Sequence, residues 1–310
     1  MKLQRLITFA TNKDERFLTL ANRGLCRHLS DEEFLKRRYR IAFGKELNLE
    51  HPQTFSEKIQ WLKLYDRKDI YTSMVDKYEA KSYVAERIGE EYIIPTLGVY
   101  NSFDEIDFDK LPDQFVLKCT HDSGGLVICR DKQHFDYQSA KRMIELCLKR
   151  NFYWVGREWP YKNVRPRIIA ETYMEDESTH ELRDYKFFAF NGEVKALFIA
   201  SDRTSKTEET KFDFFDTEFN HLPFTNGHPN AAVMPKKPDN FEEMKELASV
   251  LSKGIPHLRV DFYEVNGKTY FGELTFSHWS GMMPFVPEKW DYIFGEWIDL
   301  PSKSGKTADA

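Results

Sequence analysis

The sequence predicts an α+β fold, antiparallel strands with helices packed on one face, from three observations. Asn191-Gly192 and Asn266-Gly267 each sit between alternating apolar stretches, the strongest short-range hairpin signal. Residues 137–150 and 241–251 repeat apolar side chains at helical spacing, and Met143, Ile144 and Cys147 make the first stripe that would cover a sheet. Ser30-Asp-Glu-Glu33 and Thr54-Phe-Ser-Glu57 are capping-box patterns, each before an amphipathic stretch, so residues 1–75 read as a helical region.

Composition bounds the rest. A chain of 310 residues can bury a full core, and no Pro/Gly/Ser-rich linker or internal repeat divides it. A formal charge of −5 gives no general basis for binding nucleic acid. Lys36-Arg-Arg-Tyr-Arg40 reads as a solvated helix face, with an acidic sugar polymer or a membrane surface as the other partners it would suit. No apolar run approaches the ~20 residues of a spanning helix, and Met1-Lys-Leu-Gln-Arg-Leu-Ile-Thr-Phe-Ala is too short and polar for a signal peptide, so a cytoplasmic protein is expected. Cysteines 26, 119, 129 and 147 lack Cys-x-x-Cys spacing, and Cys119 and Cys129 read as small core residues. The small, polar stretch 301–310 reads as a disordered tail.

Two segments carry chemistry. The run from Asp261 to Glu273 alternates and is aromatic, with Asn266-Gly267 at its centre, so a hairpin brings the two carboxylates close to opposite one another. Such a pair suits a magnesium ion that keeps room for substrate phosphates; taken alone, it also suits a solvated hairpin face. Upstream, Phe115-Val-Leu-Lys118-Cys-Thr-His121-Asp-Ser123-Gly124-Gly125 reads as a strand and a small-residue loop. Glycines let backbone N–H groups approach phosphate oxygens, and Lys118 in an apolar strand calls for an anion. Neither a Walker A nor a Gly-x-Gly-x-x-Gly motif is present.

These segments, with His51-Pro-Gln-Thr-Phe-Ser-Glu-Lys-Ile-Gln-Trp-Leu-Lys, Asp76-Lys77, Ile94-Pro-Thr-Leu-Gly, Asp184-Tyr-Lys-Phe-Phe-Ala-Phe-Asn-Gly and residues 259–281, resemble the ATP-grasp superfamily, and within it the TupA-like branch of bacterial polysaccharide loci. The resemblance covers about residues 51–286 and implies two α+β lobes gripping a nucleotide over residues 76–290, a hinge near 168–175, and a C-terminal segment 291–310. It implies ATP and Mg2+ as cofactors. By it, Lys77 and Lys118 meet the phosphates under the loop Ser123, Gly124 and Gly125, while Glu171, Tyr173 and Met174 hold adenine and one of Glu175, Asp176 and Glu177 meets the ribose. Asp261, Glu273 and Thr275 stand where members hold metal; Thr275 replaces a usual asparagine, which weakens the case for a second ion. Lys186 resembles a basic residue facing the transferred phosphate, and alternation along its strand also allows it to face solvent.

The reaction implied is ligation of a carboxylate to an amine through an acyl phosphate. Arg259 and Arg203 are the candidates for stabilising oxyanion charge; Arg259 and Asp261 share one strand face, so a structural Arg–Asp pair is the other reading of Arg259. His121, Arg183, His278 and Trp279 are weaker candidates for substrate contacts. The TupA-like likeness points to a uronic acid or acidic residue of a surface polysaccharide, joined to an amino acid or amine, with peripheral association to polysaccharide-assembly machinery. Three other readings stay open: a sugar kinase using Asp184 or His121 as base, a glycosyltransferase using Asp107-Phe-Asp109, and a non-catalytic nucleotide-binding protein.

Overall fold

A computed structural model describes residues 9–177, 182–201 and 209–302. Two antiparallel sheets organise it. The smaller has four strands, β1 (Thr96–Tyr100), β2 (Phe115–Cys119), β3 (Leu126–Cys129) and β4 (Ile168–Thr172), in the order β1-β4-β2-β3. The larger has six, β5 (Asp184–Phe190), β6 (Glu193–Ser201), β7 (Lys211–Asp216), β8 (His221–Leu222), β9 (Leu258–Val265) and β10 (Lys268–Thr275), in the order β10-β9-β5-β6-β7-β8.

Both Asn-Gly pairs form hairpin turns. Asn191 and Gly192, and likewise Asn266 and Gly267, take positive φ angles, the conformation that matches the twist of the flanking strands. Helix α1 spans Lys13–Ala21, α2 Asp31–Phe43 and α3 Phe55–Tyr65. The last two begin with complete capping boxes, in which Ser30 Oγ accepts from the Glu33 N–H and Thr54 Oγ1 from the Glu57 N–H. Short α4 (Ile70–Val75) and α5 (Glu79–Ile88) lead into the small sheet. Helix α6 (Tyr137–Leu148) covers that sheet, followed by the single turn α7 (Tyr153–Gly156). Its buried stripe is Ala140, Ile144 and Cys147, whereas Met143 is exposed, because a 3.6-residue period rotates position 143 off that face.

Helices cover both faces of the large sheet rather than one. Tyr185, Phe187 and Ala189 pack with Tyr71, Met74, Val84 and helix α8 (Phe241–Ser252), while Phe188 and Phe190 pack with Phe55 and Ile59 of α3 and Phe294 of α9 (Lys289–Glu296). Every residue of β5 is therefore buried, and the half-buried strand expected from its alternation is not found. The basic run of α2 is dispersed around the helix: Lys36 pairs with Glu32, Arg37 lies over the Phe17 ring, Arg38 donates to the Val155 carbonyl and Tyr39 is buried. Asp107 accepts from the Asp109 N–H and caps its own turn. All four cysteines are buried free thiols, and burial pushes Cys119 up to about 12. No helix among the described residues is long and apolar enough to cross a membrane.

His257 lies among Phe55, Phe188 and Phe190, and burial followed by the nearby Arg259 charge depresses its pKa to about 3 from 6.5. The unfolded chain binds that proton at higher pH than the folded chain, so stability is present above pH 6.5 and is lost as pH falls towards 3. His257→Leu is expected to flatten this limb when urea unfolding is measured between pH 7 and pH 4, and an unchanged slope would refute the assignment.

Candidate active site

The small lobe gathers lysines around one carboxylate. Glu171, near the end of β4, is buried and takes Lys118 of β2 at 2.7 Å and Lys81 of α5 at 2.5 Å. Burial raises the Glu171 pKa, but the ammoniums of Lys118 and Lys81 more than cancel this and leave it below the ordinary value. Lys77 donates to the Asp122 carbonyl at 2.5 Å, and burial lowers its pKa. Its segment is anchored by Arg167, the residue before β4, which donates to Asp76 and Glu79, each at 2.8 Å.

The loop between β2 and β3 closes over this group. The Cys119 N–H donates to the Gly125 carbonyl at 2.7 Å, while Ser123 and Gly124 stand exposed at the tip. A Cβ at Gly125 would lie 2.6 Å from Cys119 Sγ, whereas one at Gly124 would meet nothing nearer than Arg150 at 4.0 Å. Asp122 is buried at the loop base; its Oδ1 accepts from the Gly124 N–H and its Oδ2 has no hydrogen-bond partner among the described residues.

The large lobe offers a charged row across the same cleft. The hairpin carries Asp261 and Glu273 close together, and a bulge at Gly272 moves Glu273 from one position off into register with Asp261, which also pairs with Lys186; Glu273 lines the same cleft as the lysines. Asp261 is fully buried, with Arg259 Nε and Nη2 at 2.7 and 2.8 Å and Lys186 on its Oδ2. Arg259 Nη2 also donates to Glu273 at 2.8 Å. Burial pushes the Glu273 carboxyl up, yet Lys186, Arg259 and Lys77 bring it to about 2. The influence of Lys77 on Glu273 crosses from one lobe to the other.

Arg259 is held from behind by an ordered chain. Asn226 donates its amide to the Met283 and Pro284 carbonyls, which leaves its oxygen to accept from His278 Nε2 at 3.0 Å; His278 Nδ1 then accepts from Arg259 Nη1 at 2.9 Å. Burial, then Arg259, hold the His278 pKa well below its ordinary value, so the ring is neutral.

Beside the lysines, Ile94, Val116, Leu126, Ile128, Met174 and Tyr263 line an apolar continuation of the cleft, with Tyr173 and Glu175, just past β4, also lining it. Of the three acids considered for ribose, Glu175 lines this space. Asp176 instead accepts from the Asn266 N–H and the Glu177 N–H donates to Asn266, so those two secure the β9–β10 turn.

Several expected contacts take other roles. His278 is a buried support for Arg259 and does not face the cleft. His121 is buried with Nε2 on the Cys147 carbonyl. Arg183 sits beside Tyr185 at the start of β5. Arg203 and positions 303–310 lie outside the described residues. For magnesium, Asp261 has both oxygens engaged by Arg259 and Lys186, and Thr275 donates its hydroxyl to Glu273 at 3.3 Å, so the three do not converge on one ion in this arrangement. Glu273 fits the ion best, an ionised oxygen donor with 43% of its side chain exposed. Among the described residues no group of three or more His, Cys, Asp or Glu side chains forms a metal cage.

Sequence reasoning missed Lys81, Asp122 and Asn226. Lys81 had a signal, one helical turn beyond Lys77; Asn226 had none, because its partner is 52 residues away.

The chain belongs to the TupA-like ATP-grasp family, whose family model matches residues 57–299. No curated protein matches it. Among solved structures it is similar to an L-amino acid ligase from Bacillus licheniformis (13% identity, 80% of this chain and 55% of that one, TM-score 0.44). It is also similar to a D-alanine–D-alanine ligase from Bacillus anthracis complexed with ATP (13%, 71% and 65%, 0.38) and to the ATP-grasp ligase PsnB complexed with a minimal precursor, Mg and ADP (10%, 72% and 58%, 0.38). The chain spans 54–65% of the length of the first structures it matches, and at these scores the likenesses carry no argument about chemistry.

Gly125→Ala is expected to cost about 1–3 kcal/mol by forcing the loop off Cys119, with Gly124→Ala near neutral, in urea unfolding. Equal effects at the two positions would show that close approach to Cys119 is not what Gly125 provides.

Proposed function

We propose that the protein is an ATP-dependent carboxylate–amine ligase that activates its acid as an acyl phosphate. The supporting observation is the meeting of Lys77, Lys81 and Lys118 on one side of the cleft with Glu273 on the other, where Arg259 holds Glu273 and, with Lys186, the buried Asp261 behind it. Bound MgATP supplies the phosphoryl group that activates the acid. Lys77 and Lys118 neutralise phosphate oxygens under the loop of Ser123, Gly124 and Gly125, and Glu273 is the magnesium ligand. The apolar space beside Tyr173 and Met174 takes adenine, with Glu175 on the ribose. The substrate carboxylate is already a nucleophile at neutral pH, so positioning and charge neutralisation are the protein's share. Arg259, held by His278, stabilises oxygen charge as the amine adds, and Lys186 orients the group being transferred.

In this reading residues 76–290 form the catalytic core with its hinge at 168–175, residues 1–75 are a separate helical region whose α3 buttresses the large lobe, and the enzyme works in the cytoplasm beside polysaccharide-assembly machinery, amidating a uronic acid or acidic residue of a surface polymer. A kinase would need a base, and both candidates are engaged: Asp184 with Lys186, and His121 with the Cys147 carbonyl. Asp107 caps its own turn and pairs with Lys110, and no group of three or more His, Cys, Asp or Glu side chains gathers at a metal position among the described residues, so nothing favours a glycosyltransferase.

Calorimetric titration of ATP with magnesium is expected to show binding that Lys118→Ala abolishes; UDP-sugar binding without ATP binding would overturn the ligase reading. Glu273→Gln is expected to lower amide-forming turnover by at least about a hundredfold while the chain still folds, with some stability lost because the ionised carboxylate is held by Lys186, Arg259 and Lys77, and a fully active variant would remove Glu273 from the metal role.

A further inference from the structure

The small-lobe wall of the cleft sets one carboxylate against two ammoniums, and the acid divides itself between them. Glu171 Oε1 lies 2.5 Å from Lys81 Nζ, and its Oε2 lies 2.7 Å from Lys118 Nζ. The carboxylate is buried, so these two lysines take the place of water around it. One negative charge does not neutralise two positive ones. The trio therefore carries a surplus cation, and all three residues line the same cleft.

The two lysines are held differently. Lys81, on α5, also donates to the Ile94 carbonyl at 2.6 Å, just before β1, and its side chain is 12% exposed. Lys118 is 23% exposed, and Glu171 is the one carboxylate within ion-pair distance of it among the described residues. Strand register fixes only the root of Lys118. β2 and β4 pair Val116 with Glu171 and Lys118 with Ile169, so Lys118 and Glu171 are diagonal neighbours on the face turned to the cleft. The flexible end of Lys118 is left to turn towards Glu171 or towards the loop of Ser123 and Gly125, which lines the cleft beside it. Lys77, whose hydrogen-bond partner is the neutral Asp122 carbonyl, adds a like charge to the same wall.

We propose that Lys81 is a positioning residue that holds Glu171 so that Lys118 is released to an incoming phosphate. This rests on the ligase reading, in which Lys118 meets phosphate, and adds a residue that acts through Glu171 without touching the nucleotide. With Lys81 in place, the acid keeps a counter-ion when Lys118 turns away, and no uncompensated buried charge is left behind. Without it, Glu171 and Lys118 form a closed, neutral pair. A phosphate must then compete with a buried carboxylate for the ammonium it needs.

The test is calorimetry with MgATP on the full chain, Lys81→Met, Glu171→Gln and the double variant. Lys81→Met is expected to weaken MgATP binding at least about tenfold when Glu171 is present and by less than about twofold in the Glu171→Gln background, where a neutral amide does not retain Lys118. A loss that persists in that background makes Lys81 a direct phosphate contact and overturns the proposal, as does no loss at all. Lys81→Arg keeps the charge and is expected to keep most of the affinity; a loss equal to that of Lys81→Met would show that charge on Glu171 is not what Lys81 provides. Lys81→Gln, which retains a donor for the Ile94 carbonyl, replaces Lys81→Met if the latter does not fold. A second readout needs no nucleotide: acylation of Lys118 by acetic anhydride, followed by mass spectrometry, is expected to slow at least about threefold in Lys81→Met, and an unchanged rate overturns the proposal. Slowed acylation with no MgATP binding by the unsubstituted protein upholds the hold of Lys81 on Glu171 and overturns the ligase reading.

Discussion

The cluster of Asp261, Arg259, Lys186 and Glu273 is the interaction on which the rest depends. Asp261 is fully buried in a sheet covered on both faces, and a lone carboxylate there would carry a large desolvation penalty. Arg259 and Lys186 neutralise it, and each is placed by backbone register alone, Lys186 across from Asp261 and Arg259 two residues before it on the same strand. Neutralising Asp261 does not exhaust Arg259, because its guanidinium also reaches Glu273 and His278. One arginine therefore ties the buried interior of the large lobe to the floor of the cleft.

The small lobe repeats the device with the signs reversed. Glu171 is the single carboxylate between Lys81 and Lys118, and Lys77 has a neutral carbonyl as its hydrogen-bond partner. Positive charge is thus gathered beside a loop whose tip is open and whose base is tight at Gly125. Charge gathered this way is what an anionic ligand would meet, the feature on which the ligase proposal rests.

The helical N-terminal region also acts on the site rather than beside it. Helix α3 fills one face of the large sheet with Phe55 and Ile59, and its Gln60 and Lys63 fix the turn after β10, with positive φ at Trp279, Ser280 and Gly281, that carries His278 inward and Trp279 outward. The motif Glu57-Lys-Ile-Gln60-Trp-Leu-Lys63 thereby gains a physical meaning: its apolar positions pack, and its polar ones hold the turn from below.

The sequence alone determined what is local. Asn-Gly turns, capping boxes, the lysine strand and the nearness of Asp261 to Glu273 follow from dihedral preference and the two-residue period of a strand, whereas their exact pairing needed the bulge at Gly272, and the family resemblance followed from the order of those motifs. Tertiary structure decided what distant chain segments do to one another. Helices on both sheet faces buried Lys186, His278 lost its solvent to packing against Phe188, Asp176 was taken up by the turn at Asn266, and Lys81 gained its role only when the helix carrying it met β4. Burial and charge pairing are sums over neighbours that sequence spacing does not supply, which is why residue types were legible in advance and their partners were not.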